Sequence, residues 1–242
     1  MKGLRRELGL VLGLFCLLMT DFATAGDYEL VVGKGTPLCE ACLKNLEQMT
    51  THPVCDHVYR PQLGLGSPAW GKLDVYKHKD LYKRASKYLG FGDEFANNHI
   101  LDDDEQLQKY LSHEIPGGLA MHRAQVDLDN DGTPEQVLKL TSHECRSTRL
   151  MYGTDLVVFS PNLDGVKKAV SDQIKQTYVE STDQTGANQT YGVFTYRGKT
   201  YFDLWNAYYR DVARRHHDGL TIYAIESGTM KTLCELQAAR RR

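Results

Sequence analysis

Asp127-Leu128-Asp129-Asn130-Asp131-Gly132-Thr133-Pro134-Glu135 sets oxygen-bearing side chains at alternate positions, a glycine where the chain must turn sharply, and a carboxylate at its close. A hard cation that takes six to eight oxygen ligands requires such a pattern. Upstream, Ala124, Val126 and Leu128 alternate with Gln125 and Asp127; downstream, Val137, Leu138 and Leu140 carry an apolar run into Thr141. Both flanks have the period of strands rather than helices. The stretch therefore reads as a strand, an ion-filled turn and a strand, which makes this part of the chain antiparallel β. Asp, Asn and Gly also favour hairpin turns with no metal present, for backbone reasons. Against that, four acids so close together repel one another unless a cation sits among them.

An EF-hand is excluded, because the twelfth position counted from Asp127 is Leu138 where a bidentate Glu is needed. The pattern D-x-D-x-D-G-x-x-[DE] between strands resembles the short calcium loops of FG-GAP and VCBS repeats, and the likeness is confined to the loop and its two strands. It implies calcium as the cofactor, held by the side chains of Asp127, Asp129, Asp131 and Glu135, with the backbone carbonyl of Thr133 between them.

Ahead of this unit lies an export signal. Lys2, Arg5 and Arg6 precede an apolar run from Leu8 to Met19, and Ala23-Thr24-Ala25 follows, so residues 1–25 read as a signal peptide cleaved after Ala25. The run is too short to span a bilayer comfortably, and no transmembrane segment is expected in the mature chain. Removing the charges of residues 1–25 from the total leaves a formal charge of −3. That near balance argues against nucleic acid as a partner.

Cys39, Cys42, Cys55, Cys145 and Cys234 remain after cleavage, and in an exported chain they are expected to pair. Proximity favours one bridge among the first three, assigned to Cys39 and Cys55; the other is expected between Cys145 and Cys234, both just beyond strand runs of one β lobe, and the odd count leaves one thiol over. Thr36 and Pro37 start a helix to about Met49, with Thr36 as N-cap. Cys39-Glu40-Ala41-Cys42 on its first turn has two further readings: a thioredoxin-like redox pair, or a zinc site that recruits Cys55, His52 or His57. Leu43 stands where a c-type haem motif needs histidine, which excludes that motif.

The fold class that follows is α+β. A small helical, cysteine-containing lobe (26–116) precedes an antiparallel β lobe of hairpins (117–242), a partial propeller or an open sheet, with Pro116-Gly117-Gly118 as the boundary. In the first lobe Asp80 to Leu89 has a helical apolar face, Asp102 to about Ser112 holds another helix, and Trp70 plugs the core. In the second, Tyr191 to Tyr196 and Thr200 to Trp205 form one hairpin, and Leu220 to Glu226 and Met230 to Leu236 another.

Two function classes remain open. One is a non-enzymatic, calcium-stabilised binding protein, exported to the periplasm or secreted, whose partner is a protein or an envelope glycan. Tyr191, Tyr196, Tyr201, Trp205, Tyr208, Tyr209 and Tyr223 would pack across the hairpins or offer a glycan platform. The other is an exported enzyme, either a thiol-disulfide oxidoreductase using Cys39 and Cys42 or a hydrolase. No nucleophile and base spacing is readable around His143, Glu144, His216 or His217.

Overall fold

A computed structural model describes residues 28–49, 57–90, 103–113, 119–142, 153–177, 187–208 and 219–239. Its elements in chain order are β1 (Tyr28–Val32), α1 (Pro37–Glu47), β2 (Leu65–Gly66), β3 (Gly71–Leu73), α2 (Lys79–Leu89), α3 (Asp104–His113), β4 (Leu119–Val126), β5 (Glu135–Ser142), β6 (Gly153–Phe159), α4 (Lys168–Lys175), β7 (Ala187–Tyr196), β8 (Lys199–Tyr208), β9 (Gly219–Glu226) and β10 (Thr229–Ala238). The fold is mostly antiparallel β with a few helices. Strand order is β1-β10-β9-β8-β7-β2 in a six-stranded sheet and β3-β4-β5-β6 in a four-stranded one.

Local chemistry explains the elements. Arg197 and Gly198 both have positive φ (50° and 79°), as do Ser227 and Gly228 (53° and 72°), so the β7–β8 and β9–β10 hairpins turn on two residues whose backbone matches the strand twist. Pro37 opens α1, but Thr36 does not cap it: its hydroxyl donates to the Gly33 carbonyl at 2.7 Å. The Glu40 carboxylate instead accepts the Gly35 N–H at 3.1 Å, outside the helix start.

Alternation along the strands sorts the core into three layers. Tyr28, Leu30, Phe194, Trp205, Ile222 and Leu236 pack on one face of the large sheet with Leu38, Cys42 and Leu46 of α1. Between the sheets lie Ala124, Val137 and Val158 against Val193, Phe202 and Leu204, with Val170 and Ile174 of α4 at the side. On the far face of the small sheet, Met121, Leu138, Val157 and Phe159 meet Leu81, Tyr82, Ala85 and Leu107 from α2 and α3. Trp70 is only partly buried, at the rim of the middle layer, with the Lys139 ammonium 4.5 Å from its ring centre.

Two expectations are corrected here. Strands from both sides of residue 117 pair in each sheet: Tyr28 lies opposite Ala238, Leu65 opposite Tyr196, and Leu73 opposite Met121. A helical lobe at 26–116 followed by a β lobe at 117–242 is therefore not how the chain divides, because its early strands complete sheets built from its later ones. The second correction concerns Cys234, which bonds Cys39 rather than Cys145, across a sequence separation of 195. Packing of α1 on the large sheet brings the two Cα atoms to 5.6 Å, a distance sequence proximity could not reveal. Cys42 is a buried free thiol, while Cys55, Cys145, residues 1–27 and the Pro116 hinge lie outside the described residues.

One acid in this fold is poorly placed. Asp155 lies opposite Leu140 in register, on the face of β6 that carries Val157 and Phe159 into the helix-covered core. Burial raises its carboxyl to about 6. The folded state then binds the proton more tightly than the unfolded chain, so the penalty is absent below about pH 4 and complete above about pH 6. Asp155→Asn is expected to stabilise the protein at pH 7 by about 1–3 kcal/mol and to leave stability unchanged near pH 4. Urea unfolding at the two pH values checks this; equal effects at both would sink it.

Candidate metal centre

The loop between β4 and β5 is built from its own backbone donors. Asp127 accepts the Asp131 N–H on Oδ1 and the Gly132 N–H on Oδ2, both at 2.9 Å. Asn130 and Gly132 take left-handed backbone, with φ of 56° and 91°, which curls the chain around these acceptors. Asp131 Oδ1 accepts the Thr133 N–H at 2.7 Å, and that bond holds the Asp131 carboxyl below its usual range. Glu135, the first residue of β5, is wholly buried and accepts the Leu128 N–H on Oε2 at 2.9 Å. As a result, one ligand oxygen from each of Asp127, Asp129 and Glu135 lies within 4.8 Å of the others, an arrangement that could hold a metal ion.

A residue from elsewhere reaches the same point. Lys167, just ahead of α4, places its ammonium 2.8 Å from Asp129 Oδ2, 2.5 Å from Glu135 Oε1 and 3.4 Å from Asp131 Oδ2. Burial alone would lower the Lys167 pKa, but its hydrogen bonds to Asp129 and Glu135 outweigh that and raise it. The Glu135 carboxyl is pushed up by its own burial, and the Lys167 ammonium and the Leu128 N–H pull it back only in part. Asp129 is 8% exposed, and its Oδ1 is buried with no hydrogen-bond partner.

The loop is also fastened to the other sheet. Asn130 Nδ2 donates to the Thr200 carbonyl at 3.0 Å, and the Thr200 N–H donates to Asn130 Oδ1 at 2.8 Å. Through this pair of bonds the β4–β5 turn of the small sheet grips the start of β8 in the large one.

Of the five residues assigned from the sequence, Asp127, Asp129 and Glu135 converge. Asp131 stands at the rim with its side chain 48% exposed, and Thr133 contributes its N–H to Asp131. The donor set fits a hard cation: every converging atom is a carboxylate oxygen, one buried oxygen is unpartnered, and an ammonium already sits beside three of the acids. Lys167 and Asn130 were not foreseen as partners. Asn130 lies inside the loop motif, but nothing local marks Lys167, 32 residues beyond Glu135.

A second polar cluster lies under α1. Asp203, a lone acid in the apolar run Phe202-Asp203-Leu204-Trp205, is 2% exposed. Its Oδ2 accepts the Tyr59 hydroxyl at 2.7 Å, and its Oδ1 is 2.9 Å from His57 Nδ1. His57 Nε2 in turn is 2.8 Å from Thr190 Oγ1. Acid, imidazole and hydroxyl follow the order of a nucleophilic triad. Thr190, however, is fully buried, so the hydroxyl has no face open to a substrate, and the cluster ties residues 57–59 to β7 and β8. A cavity with room for about one water lies beside it, lined by Cys42, His57, Tyr59 and Asp203.

Neither alternative for the cysteines finds support among the described residues. Cys39 is bonded to Cys234 rather than Cys42, and burial and then Asp203 raise the Cys42 thiol, opposite to what a redox nucleophile needs. For zinc, one sulfur is spent in the bridge, and His52 and Cys55 lie outside the described residues. As for a glycan platform, Tyr191, Tyr196 and Trp205 are buried, and Tyr201 and Tyr223 pack against the cores. The side chains of Tyr208 and Tyr209, together with His143, Glu144, His216 and His217, lie outside the described residues. No family model, curated protein or solved structure matches the chain.

Proposed function

We propose that the chain is an exported, non-enzymatic binding protein whose β scaffold is stabilised by calcium in the β4–β5 loop. The convergence of Asp127, Asp129 and wholly buried Glu135 carries this reading. A closing set made only of oxygens suits calcium, which accepts irregular coordination by carboxylates and carbonyls. Because Asn130 couples the loop to β8, an ion that orders the loop also strengthens the junction of the two sheets. The Cys39–Cys234 bridge suits an oxidising compartment, and among the described residues no helix is long and apolar enough to cross a membrane.

The melting temperature is expected to rise with calcium. Binding to the native state alone adds RT ln(1 + [L]/Kd), about 2.7 kcal/mol at a hundredfold excess over Kd. Magnesium should help less, since it demands stricter octahedral geometry and releases water reluctantly. In Asp129→Ala the calcium response should shrink sharply. A wild-type melting curve indifferent to calcium and to chelator, with no bound metal by elemental analysis, would leave the loop an acidic hairpin turn. The partner, a protein or an envelope glycan, is sought by capture from envelope extract with and without calcium.

A further inference from the structure

We infer that Lys167 is a tethered competitor for the cation, so that calcium enters the β4–β5 loop only by exchange with the lysine ammonium. The inference rests on the calcium reading above and specifies how that site is regulated. Calcium binds oxygen at about 2.3–2.6 Å. The Lys167 Nζ already lies 2.8 Å from Asp129 and 2.5 Å from Glu135, two of the three acids that would close on the ion. An ammonium and a calcium ion cannot both stand there, through volume and through like charge.

The backbone of Lys167 is fixed while its side chain is free to withdraw. Its N–H donates to the Val158 carbonyl at 2.8 Å, and its own carbonyl accepts the Val170 and Ser171 N–H groups at 3.1 and 3.0 Å as α4 begins. Its neighbour Val166 forms a bridge with Phe159. The side chain is 28% exposed and therefore has a way out to solvent along its four-carbon stem. Two states follow. Without calcium the ammonium neutralises the buried acids and holds the loop closed; with calcium the ion takes those oxygens and the lysine moves to water. Displacing a resident charge weakens the apparent affinity relative to the same loop without the lysine.

Calorimetric titration of chelator-treated wild type and Lys167→Met with calcium alone tests the exchange, with melting temperatures measured in parallel. Methionine keeps the length and removes the charge. The variant is expected to bind at least tenfold more tightly and to melt lower than wild type without metal. Binding seen only in the variant would overturn the exchange and the calcium reading of the wild type together, leaving the ammonium as the permanent counter-ion of the loop. Equal affinities in both would overturn the inference while leaving the calcium site standing. Binding in neither would remove the calcium reading, and the inference with it. Lys167→Arg keeps the charge and supplies folded protein should the methionine variant fold only in calcium. It is expected to bind no more tightly than wild type, and tighter binding would equally overturn the exchange.

Discussion

Cys39→Ala is expected to lose about 2–5 kcal/mol of stability, among the largest effects of any single substitution in this chain. The bridge to Cys234 closes a loop across a separation of 195 residues. In the chain-entropy picture a loop that long restricts the unfolded state by about 5 kcal/mol, and small strains in the native state reduce that figure. Both sulfurs are buried under α1, so the loss also loosens the contact of that helix with β10. Reductant acting on the wild type should reproduce the effect, and peptide mapping without reductant should recover Cys39 joined to Cys234. A Cys39→Ala protein with an unchanged urea midpoint would show that α1 is held by packing alone.

Asp203→Ala should destabilise the fold by about 3–5 kcal/mol, for a different reason. Its carboxylate is 2% exposed and faces the Tyr59 hydroxyl and the His57 ring. Truncation takes the carboxylate acceptor away from both half-buried partners and opens a void beside an existing cavity. Burial and the Asp203 carboxylate raise the Tyr59 phenol, so it stays a proton donor throughout the range in which the protein is handled. Thr190→Val preserves shape and removes only the hydroxyl opposite His57 Nε2, and a smaller loss of about 1–3 kcal/mol is expected. Urea unfolding of both variants measures the difference. If Asp203→Ala lost no more than Thr190→Val, the cluster would not be what holds residues 57–59 to the large sheet.

What was legible in the sequence depended on how far each signal reached along the chain. Pro37 at a helix start, the Arg197-Gly198 turn and the alternation flanking Asp127 to Glu135 are local, and each element stands where those residues place it. The acids of the loop were legible for the same reason, since Asp127, Asp129 and Glu135 converge through a single turn. Lys167 was not, because its approach depends on how β6 leads into α4 and on which side of the small sheet that link crosses. Proximity points Cys39 to a near neighbour and a shared β lobe points Cys234 to Cys145, whereas the stacking of α1 on the large sheet joins Cys39 to Cys234. The β8 strand shows the limit most plainly. Phe202 and Leu204 face the small sheet while Trp205 packs toward α1 beside buried Asp203, so large side chains stand on both faces and the pattern does not separate a covered face from a wet one.

The pairing of β1 with β10 has a consequence for the order of events in folding. Tyr28 finds Ala238 across the sheet, and Leu30 finds Leu236, so the earliest described strand is matched to the last one. Contacts this remote in sequence raise the contact order and slow folding, since loop-closure entropy must be met before the pairing can reward it. During synthesis β1 has no mate until residues 229–238 have emerged, and its valines Val31 and Val32 stay exposed even in the finished fold. The hairpins β7–β8 and β9–β10 join strands adjacent in sequence and can form early, whereas β1 must close across the whole chain to reach β10. Cys39 and Cys234 come within bonding distance through the same long-range closure, with α1 laid on the large sheet beside β1 and β10.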